Sequence, residues 1–336
     1  MSPTRTVDIT TRERLRLSLQ STGFDAVRFA RAEELTAEMT HFSAWIDSGH
    51  HGAMTYMERN AGKRLDVRAI VPDAATVIVV ALSYHTGHAH AEDPSTGKIS
   101  RYAWGNDYHD VMDTRLDEAI GRVRVEFPDH AFHRYADTGP VLEKAWAVRS
   151  GLGWQGKNSN ILSRDLGSYF FLGVIITTLD IPADAPVTDH CGTCTACLDA
   201  CPTRAIIRPA VVDARRCLSY WTIETKGEGE MPQVVRENLD GWLFGCDVCQ
   251  EVCPWNRFAV PTRVAEFTPR NGETSMNLDT VKGMDEAAFR ERFKGSPVKR
   301  TKLRGLQRNA RELSWYYRQH EQHEQHGHQR EDGDVG

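Results

Sequence analysis

No cysteine occurs in the first 190 residues of this 336-residue chain or in its last 83; all eight lie between Cys191 and Cys253. A secreted fold stapled by disulfides spreads its bridges through the structure, so this confinement excludes that class. Long apolar runs are also missing. The longest, Val77 to Leu82 and Phe170 to Ile176, fall far short of the roughly 20 residues that a bilayer span needs. The start, Met1-Ser2-Pro3-Thr4-Arg5 followed by the charged Thr11-Arg12-Glu13-Arg14, has no apolar signal-peptide core. A cytoplasmic location is therefore expected, where clustered thiols stay reduced and usually mean metal. Positive charge is scarce too: 41 Lys and Arg against 46 Asp and Glu leave a net charge of −5. Any nucleic-acid partner must then be met by a local basic patch. No repeat of solenoid period is present apart from a doubled cysteine motif. With 40% hydrophobic and 26% charged residues, the chain can build a packed core of about two domains' size.

Apolar periodicity divides the chain into four regions. Residues 8–180 alternate helix and strand patterns: helices over Arg12–Gln20, Glu33–Ile46, Asp110–Val125 and Val141–Ser150, strands over Asp25–Phe29 and Phe132–Ala136. The β-branched run Ala75–Ser83 and the segment Ser168–Thr178 have the composition of buried central strands. This mixture predicts an α+β or α/β sheet domain. A Pro-rich linker, Ile181-Pro182-Ala183-Asp184-Ala185-Pro186, opens a cysteine region over 181–261. A mostly helical stretch follows over 262–318. The polar tail, 319–336, carries His320, His323, His326 and His328 and reads as disordered, with no more than incidental metal binding.

Cys191-Gly-Thr-Cys194-Thr-Ala-Cys197-Leu-Asp-Ala-Cys201-Pro202 follows the C-x2-C-x2-C-x3-C-P spacing of bacterial ferredoxins. Cys246-Asp-Val-Cys249-Gln-Glu-Val-Cys253-Pro254 repeats its ending, with the remaining cysteine upstream at Cys217. Three thiolates on one tight loop cap three irons of a cubane, and the fourth cysteine reaches the other cluster. The spacing thus predicts two crossed 4Fe–4S sets: Cys191, Cys194, Cys197 and Cys253, and Cys201, Cys217, Cys246 and Cys249. Zinc is the competing metal, but its ribbons use separated pairs rather than three cysteines within seven residues. Thiols packed as small hydrophobes are the other alternative.

Gly151-Leu-Gly153-Trp-Gln-Gly156-Lys157-Asn158 imitates both a dinucleotide-binding and a phosphate-binding loop. Each of those needs a strand before the glycines and a helix after. Here a helical pattern precedes and a strand follows, and Asn158 stands where a magnesium-holding hydroxyl would be. A close-approach loop that binds a ligand remains the expectation.

Taken together, several segments resemble the epoxyqueuosine reductases, the cobalamin-dependent iron–sulfur enzymes that finish queuosine synthesis in tRNA. The segments are Met54-Thr-Tyr-Met57-Glu-Arg59-Asn60, Arg101-Tyr102-Ala-Trp-Gly105-Asn-Asp107-Tyr108-His109, Asp137-Thr138-Gly139-Pro140-Val141-Leu142-Glu143, the glycine loop, both cysteine motifs, and Lys299-Arg300-Thr-Lys302-Leu-Arg304-Gly305-Leu-Gln-Arg308-Asn309. The resemblance implies an N-terminal mixed α/β cobalamin-binding domain, a ferredoxin-like double 4Fe–4S domain and a short helical C-terminal region, α+β overall. It assigns cobalamin contacts to Arg59, Asn60, Asp137, Gly156, Lys157 and Asn158, and a substrate pocket to Asp107, Tyr108 and His109. The D-x-H-x-x-G signature that supplies a cobalt-ligating histidine is absent. Asp107-Tyr108-His109-Asp110-Val111-Met112 comes near and ends in methionine.

Removing an epoxide oxygen takes two electrons and two protons, so a protein acid is required. Asp137 corresponds to the family's proton donor, which implies a pKa raised by burial against the corrin. Its alternative is a cap on the helix beginning near Pro140. Asp107, Tyr108 and His109 could equally cap and pack. From Lys294 to Arg308 there are six basic residues and no acidic one, which suits contacts to the phosphates of tRNA near its anticodon. Lys299, Arg300, Lys302, Arg304 and Arg308 are the candidates, and Trp221 is a candidate base-stacking residue. An ordinary basic helix face and core aromatics, the latter favoured for Trp242, are the bland alternatives. About 27 residues follow Asn309, so the longer helical-repeat domain of some relatives is expected to be absent. The expected partners are tRNA and a low-potential electron donor, with no membrane and a monomeric chain. Two other functions compete: another corrinoid reductase related to reductive dehalogenases, and a ferredoxin-like electron carrier. The basic segment argues against the first, and the long cysteine-free region before Cys191 against the second.

Overall fold

The computed structural model describes residues 6–227 and 229–331, with residues 321–331 as backbone only. Thr76–Ser83 is buried at every position and forms the second strand of a four-stranded sheet. The order is Ala26–Arg31, Thr76–Ser83, Phe170–Thr177, Phe132–Tyr135. Every pairing is antiparallel, with Ala26 opposite Ala81, Val80 opposite Gly173 and Tyr135 opposite Val174. That decides for α+β over α/β, since a parallel sheet is what a βαβ order builds.

Alternation along the central strand feeds two cores. Ile78, Val80 and Leu82 pack with Leu15, Leu19, Met112 and Leu116 from the helices Ile9–Gln20 and Tyr108–Glu126. Val77, Val79 and Ala81 pack with Leu35, Met39, Trp146 and Ala147, the last two on the helix Glu143–Arg149. A strand covered on both faces has no polar side, which is why Thr76–Ser83 reads as a continuous apolar run.

A second, three-stranded sheet joins distant parts of the chain. Thr96–Ile99 lies between Trp242–Phe244, to which it is parallel, and the antiparallel Ser275–Asn277. Ile99 and Trp104 share a core with Trp242, Phe244, Leu306 and Leu313. The segments delimited by composition at 180 and 261 therefore interleave in space, because a strand from the first segment is the central member of a sheet built with the other two.

The helix Lys302–Glu331 closes this core. Its buried Asn309 donates to the carbonyls of Thr222 and Leu243 at 2.9 Å. The helix carries the chain past residue 319, where polar composition had pointed to disorder. Residues 332–336 and the side chains of His323, His326 and His328 lie outside the described residues. Among the described residues, no helix is long and apolar enough to cross a membrane.

Candidate active site and cysteine centres

Asp137 sits at the end of the strand Phe132–Tyr135 with φ of 61°, a left-handed conformation that aspartate tolerates better than most residues. The Thr138 amide donates back to Ala136 O at 2.7 Å, and the Asp137 amide donates to Glu143 Oε1 at 3.1 Å. This tight turn leaves the Asp137 side chain 66% exposed. The helix that follows is capped at Leu142 without a side-chain bond, so Asp137 is not its cap.

The start of the helix Tyr108–Glu126 brings the other members of the site. Tyr108 Oη donates to Asp137 Oδ2 at 2.6 Å, and His109 Nε2 lies 3.4 Å from the same oxygen. His109 Nδ1 is 2.7 Å from Asp107 Oδ1, and Lys299 Nζ is 2.8 Å from Asp107 Oδ2. The Tyr108 ring stacks on Phe171 of the central sheet, 4.3 Å between centroids, which fixes the phenol. Asp107 also caps its helix through the His109 amide. Asp107 thus serves as the cap that the structural alternative describes, and the same side chain holds His109 and Lys299 beside Asp137.

The charge pattern differs from the expectation of a neutral Asp137. Protein atoms crowding around the turn work to raise its pKa by shielding it from bulk water, but hydrogen bonds from His109 and Tyr108 outweigh this and hold the carboxyl below its ordinary value. At His109, burial opposes the charge, yet the bonds to Asp107 and Asp137 push the imidazole up to about 9. Asp107 is held far below the carboxylate range by His109 and Lys299 against the cost of its burial. Near neutral pH the proton therefore resides on His109, between two carboxylates.

Four neighbours, Glu143, Glu224, Tyr56 and Tyr102, carried no role in the sequence reading, and Arg300 carried a different one. Burial raises Glu143 to about 7, with the Asp137 charge adding to the effect. Arg300 forms a two-point pair with Glu224 at 2.7 and 2.9 Å and reaches Tyr56 Oη at 3.4 Å. Tyr56 and Tyr102 both feel the Asp137 charge. Tyr56 and Glu143 stand in segments that carry the family resemblance, but no spacing rule marks them.

Among the candidate cobalamin contacts, Arg59 and Asn60 are exposed, Asn60 at a left-handed turn opening a short helix. Lys157 and Asn158 do something else. Lys157 Nζ donates to Gly192 O and Cys194 O at 2.7 and 2.8 Å, and Asn158 Nδ2 donates to Cys249 O at 3.0 Å. They stitch the glycine loop to both cysteine loops. The loop itself is a hairpin, Trp154–Gln155 against Ile161–Leu162. Its glycines serve packing: Gly151 has φ of 70°, and a Cβ there would meet Ala185 O at 2.0 Å, while one at Gly156 would meet Asn158 Oδ1 at 2.9 Å.

The cysteines fall into two neighbourhoods. Cys197 feels Cys253, and both feel Cys191 and Cys194. Cys249 feels Cys217 and Cys201, and Cys246 feels Cys217 and Cys249. The groups adjoin where Cys249 faces Cys197. Burial pushes the Cys217, Cys246 and Cys249 thiols up, whereas Cys194 is exposed. Among the described residues no three His, Cys, Asp or Glu side chains close around a single ion. A cluster that brings its own sulfides spans a wider set. Lys144, pushed down by burial, faces both Asp137 and Cys249, so the second cysteine group borders the Asp137 site.

The basic segment divides. Lys299 and Arg300 turn toward the Asp137 site, and Lys302 and Arg304 are exposed. Arg308 is 3% exposed and donates to Trp221 O at 2.5 Å, so it is a structural clamp rather than a phosphate contact. Trp221 is half-buried on the second core, its indole N–H donating to Arg215 O at 2.7 Å. Trp242 is 1% exposed, a core residue as expected.

A sequence profile described as a 4Fe–4S double cluster binding domain matches residues 190–256, and one for the epoxyqueuosine reductase QueG matches residues 64–138. An epoxyqueuosine reductase of Synechocystis is 47% identical over 80% of this chain and 92% of its own length. The chain belongs to the epoxyqueuosine reductase family. The Cellulophaga algicola member is 43% identical over 90% of this chain and 96% of its own. Among solved structures, an epoxyqueuosine reductase with an epoxyqueuosine-modified tRNA-Tyr stem loop superposes with a TM-score of 0.85 at 29% identity, covering 92% of this chain and 82% of that one. The Bacillus subtilis enzyme, its catalytic aspartate loop swung out of the active site, gives 0.85 at 28% identity with the same coverage. Membership makes this chain an iron–sulfur oxidoreductase and decides against a dehalogenase or a simple carrier.

Proposed function

We propose that this enzyme acts in the cytoplasm, reducing epoxyqueuosine to queuosine at the wobble position of tRNA. Two 4Fe–4S clusters are its electron source, cobalamin the reductant at the substrate, and Asp137 the proton donor. The observation that carries this is the Asp137 carboxylate, exposed on a tight turn and hydrogen-bonded to a charged His109. Cys191, Cys194, Cys197 and Cys253 would hold one cluster and Cys201, Cys217, Cys246 and Cys249 the other. The residues around Asp137 also suit a corrinoid. Tyr56, Tyr102, Lys144 and Arg300 offer the polar edges that an amide-fringed macrocycle needs, with Arg59, Asn60 and Gly156 as further contacts. Both ring nitrogens of His109 are engaged by carboxylates. When bound, cobalamin would supply the strongly reducing centre that the reaction needs.

The protein manages the protons. Asp107 fixes the His109 tautomer and stores charge on the ring. His109 passes a proton to Asp137 Oδ2 when a covering substrate removes water and lifts the carboxyl pKa. Asp137 then donates to the departing oxygen, with Tyr108 holding its oxygen in line. Epoxide, two electrons and two protons give the alkene and water. Lys299, Arg300, Lys302 and Arg304 supply the positive rim for tRNA phosphates, a reading supported by the tRNA stem loop bound to the homologous enzyme.

The test is an anaerobic reaction of purified enzyme with cobalamin, titanium(III) citrate and tRNA carrying epoxyqueuosine. Queuosine by mass spectrometry of the nucleosides is the expected outcome; unchanged epoxyqueuosine sinks the proposal.

A further inference from the structure

We propose that an open depression beside Cys253 is the docking site of a small acidic electron-carrier protein. The inference rests on the iron–sulfur reading above and adds where electrons enter and from what kind of partner. The depression, about 640 Å³, is lined by His85, His88, Arg101, Val252, Cys253 and Arg257 among others.

Its position within the cysteine centres is the first argument. Cys253 groups with Cys191, Cys194 and Cys197, and Cys194 is the one exposed cysteine. The other group is deeper and borders Lys144 and Asp137 through Cys249. Electrons bound for the substrate thus have an outer end at Cys253 and an inner end at Cys249.

Surface chemistry is the second. Val252, Phe258 and Val260 are exposed at 38, 42 and 50%, an apolar patch at the mouth. Val260 belongs to this rim because its carbonyl accepts from Ser83, and the next segment binds His85 O through the Thr262 amide. The Arg257 guanidinium lies 4.6 Å over Phe258. Among the described residues Arg257 and Arg263 have no carboxylate partner, while the one carboxylate of the lining, Glu251, is engaged by Arg101 at 3.3 Å. The patch is positive and apolar on a chain of net charge −5. Apolar contacts ringed by one sign of charge suit brief docking of an oppositely charged partner. The floor is rigid: Asn256 accepts from the Ser168 amide at 2.7 Å and donates to Gln250 O at 2.7 Å.

RNA is the other polyanion to consider. The tRNA base must reach Asp137, at the Cys249 end, so a site at the Cys253 end is misplaced for it. Each carrier molecule gives up one electron here; two of them, with two protons, account for one epoxide reduced to alkene and water.

The experiment compares two reductants for the reconstituted full-length enzyme. One is a reduced acidic 2Fe–2S ferredoxin, the other titanium(III) citrate. Arg257→Glu and, separately, His88→Glu should raise the KM for ferredoxin by about tenfold and flatten its salt dependence. Titanium-driven turnover, iron content and the KM for tRNA should stay within about twofold of wild type. An unchanged ferredoxin KM in both variants overturns the proposal, and so does a rise confined to the tRNA KM. Wild-type enzyme inert with titanium(III) citrate would instead strike at the reductase reading itself.

Discussion

His109 Nδ1 and Asp107 Oδ1 lie 2.7 Å apart, with the aspartate side chain only 6% exposed. That pairing, completed by Lys299 on the far oxygen of Asp107, determines where the site keeps its proton. A charge-assisted bond in a shielded place favours the imidazolium, and the turn at Asp137 places a second carboxylate on the opposite nitrogen.

Turnover should therefore depend on a protonated His109. Because its pKa is raised to about 9, kcat/KM should hold through neutral pH and fall as pH rises through about 9, rather than near 6.5. The same shift is a stability statement. The folded-state pKa is above the unfolded one, so the stabilisation is complete below about 6.5 and lost as pH rises through about 9. Its size is roughly 3 kcal/mol. A two-dimensional NMR titration of the histidine ring, or melting curves across that window, checks both.

Asp107→Asn removes the partner of both His109 and Lys299. The histidine pKa should drop toward its ordinary value and the alkaline limb of the rate profile should move acidward. Loss of a buried charge partner should also cost roughly 2–4 kcal/mol in urea unfolding. An unshifted pH profile would show that Asp107 only caps its helix.

Asp137→Asn should lower single-turnover conversion by at least about a hundredfold. Melting temperature and iron content should be nearly unchanged, because the side chain is exposed. The variant should also lower the His109 pKa, since one of its two carboxylates is gone.

What the sequence made legible follows from how local each signal is. Thr76–Ser83 could be read as a central strand because both faces are buried, and a β-branched run has few other uses. Thr96–Ile99 could not, because its partners start at Trp242 and Ser275 and four residues, Thr-Gly-Lys-Ile, are too few to carry a pattern of their own. The cysteine motifs were legible because cluster chemistry dictates their spacing. Residues 107–109 and Asp137 could be named, but the protonation of the carboxyl could not. It depends on groups 28 and 29 positions away that the fold brings within 3.4 Å. Lys157 and Asn158 were named too, yet their partners are carbonyls in the cysteine loops, which no motif encodes.

Arg308 separates a structural from an RNA-binding role within a single basic segment. Its guanidinium is enclosed and held by Trp221 O, Gly227 O and Asn309, whereas Lys302 and Arg304 are exposed on the same helix. Arg308→Ala should leave the buried Asn309 Oδ1 without its donors and destabilise the fold by about 1–3 kcal/mol. The slope of log Kd for tRNA against log salt should not change. Lys302→Ala and Arg304→Ala should do the reverse: little effect on melting, weaker binding at every tRNA sequence, and a slope reduced by roughly one per lost phosphate contact. Filter binding across a salt series, run beside thermal melts, reads both. If Arg308→Ala flattened the salt slope while melting normally, its side chain would be reaching phosphate and the clamp assignment would fall.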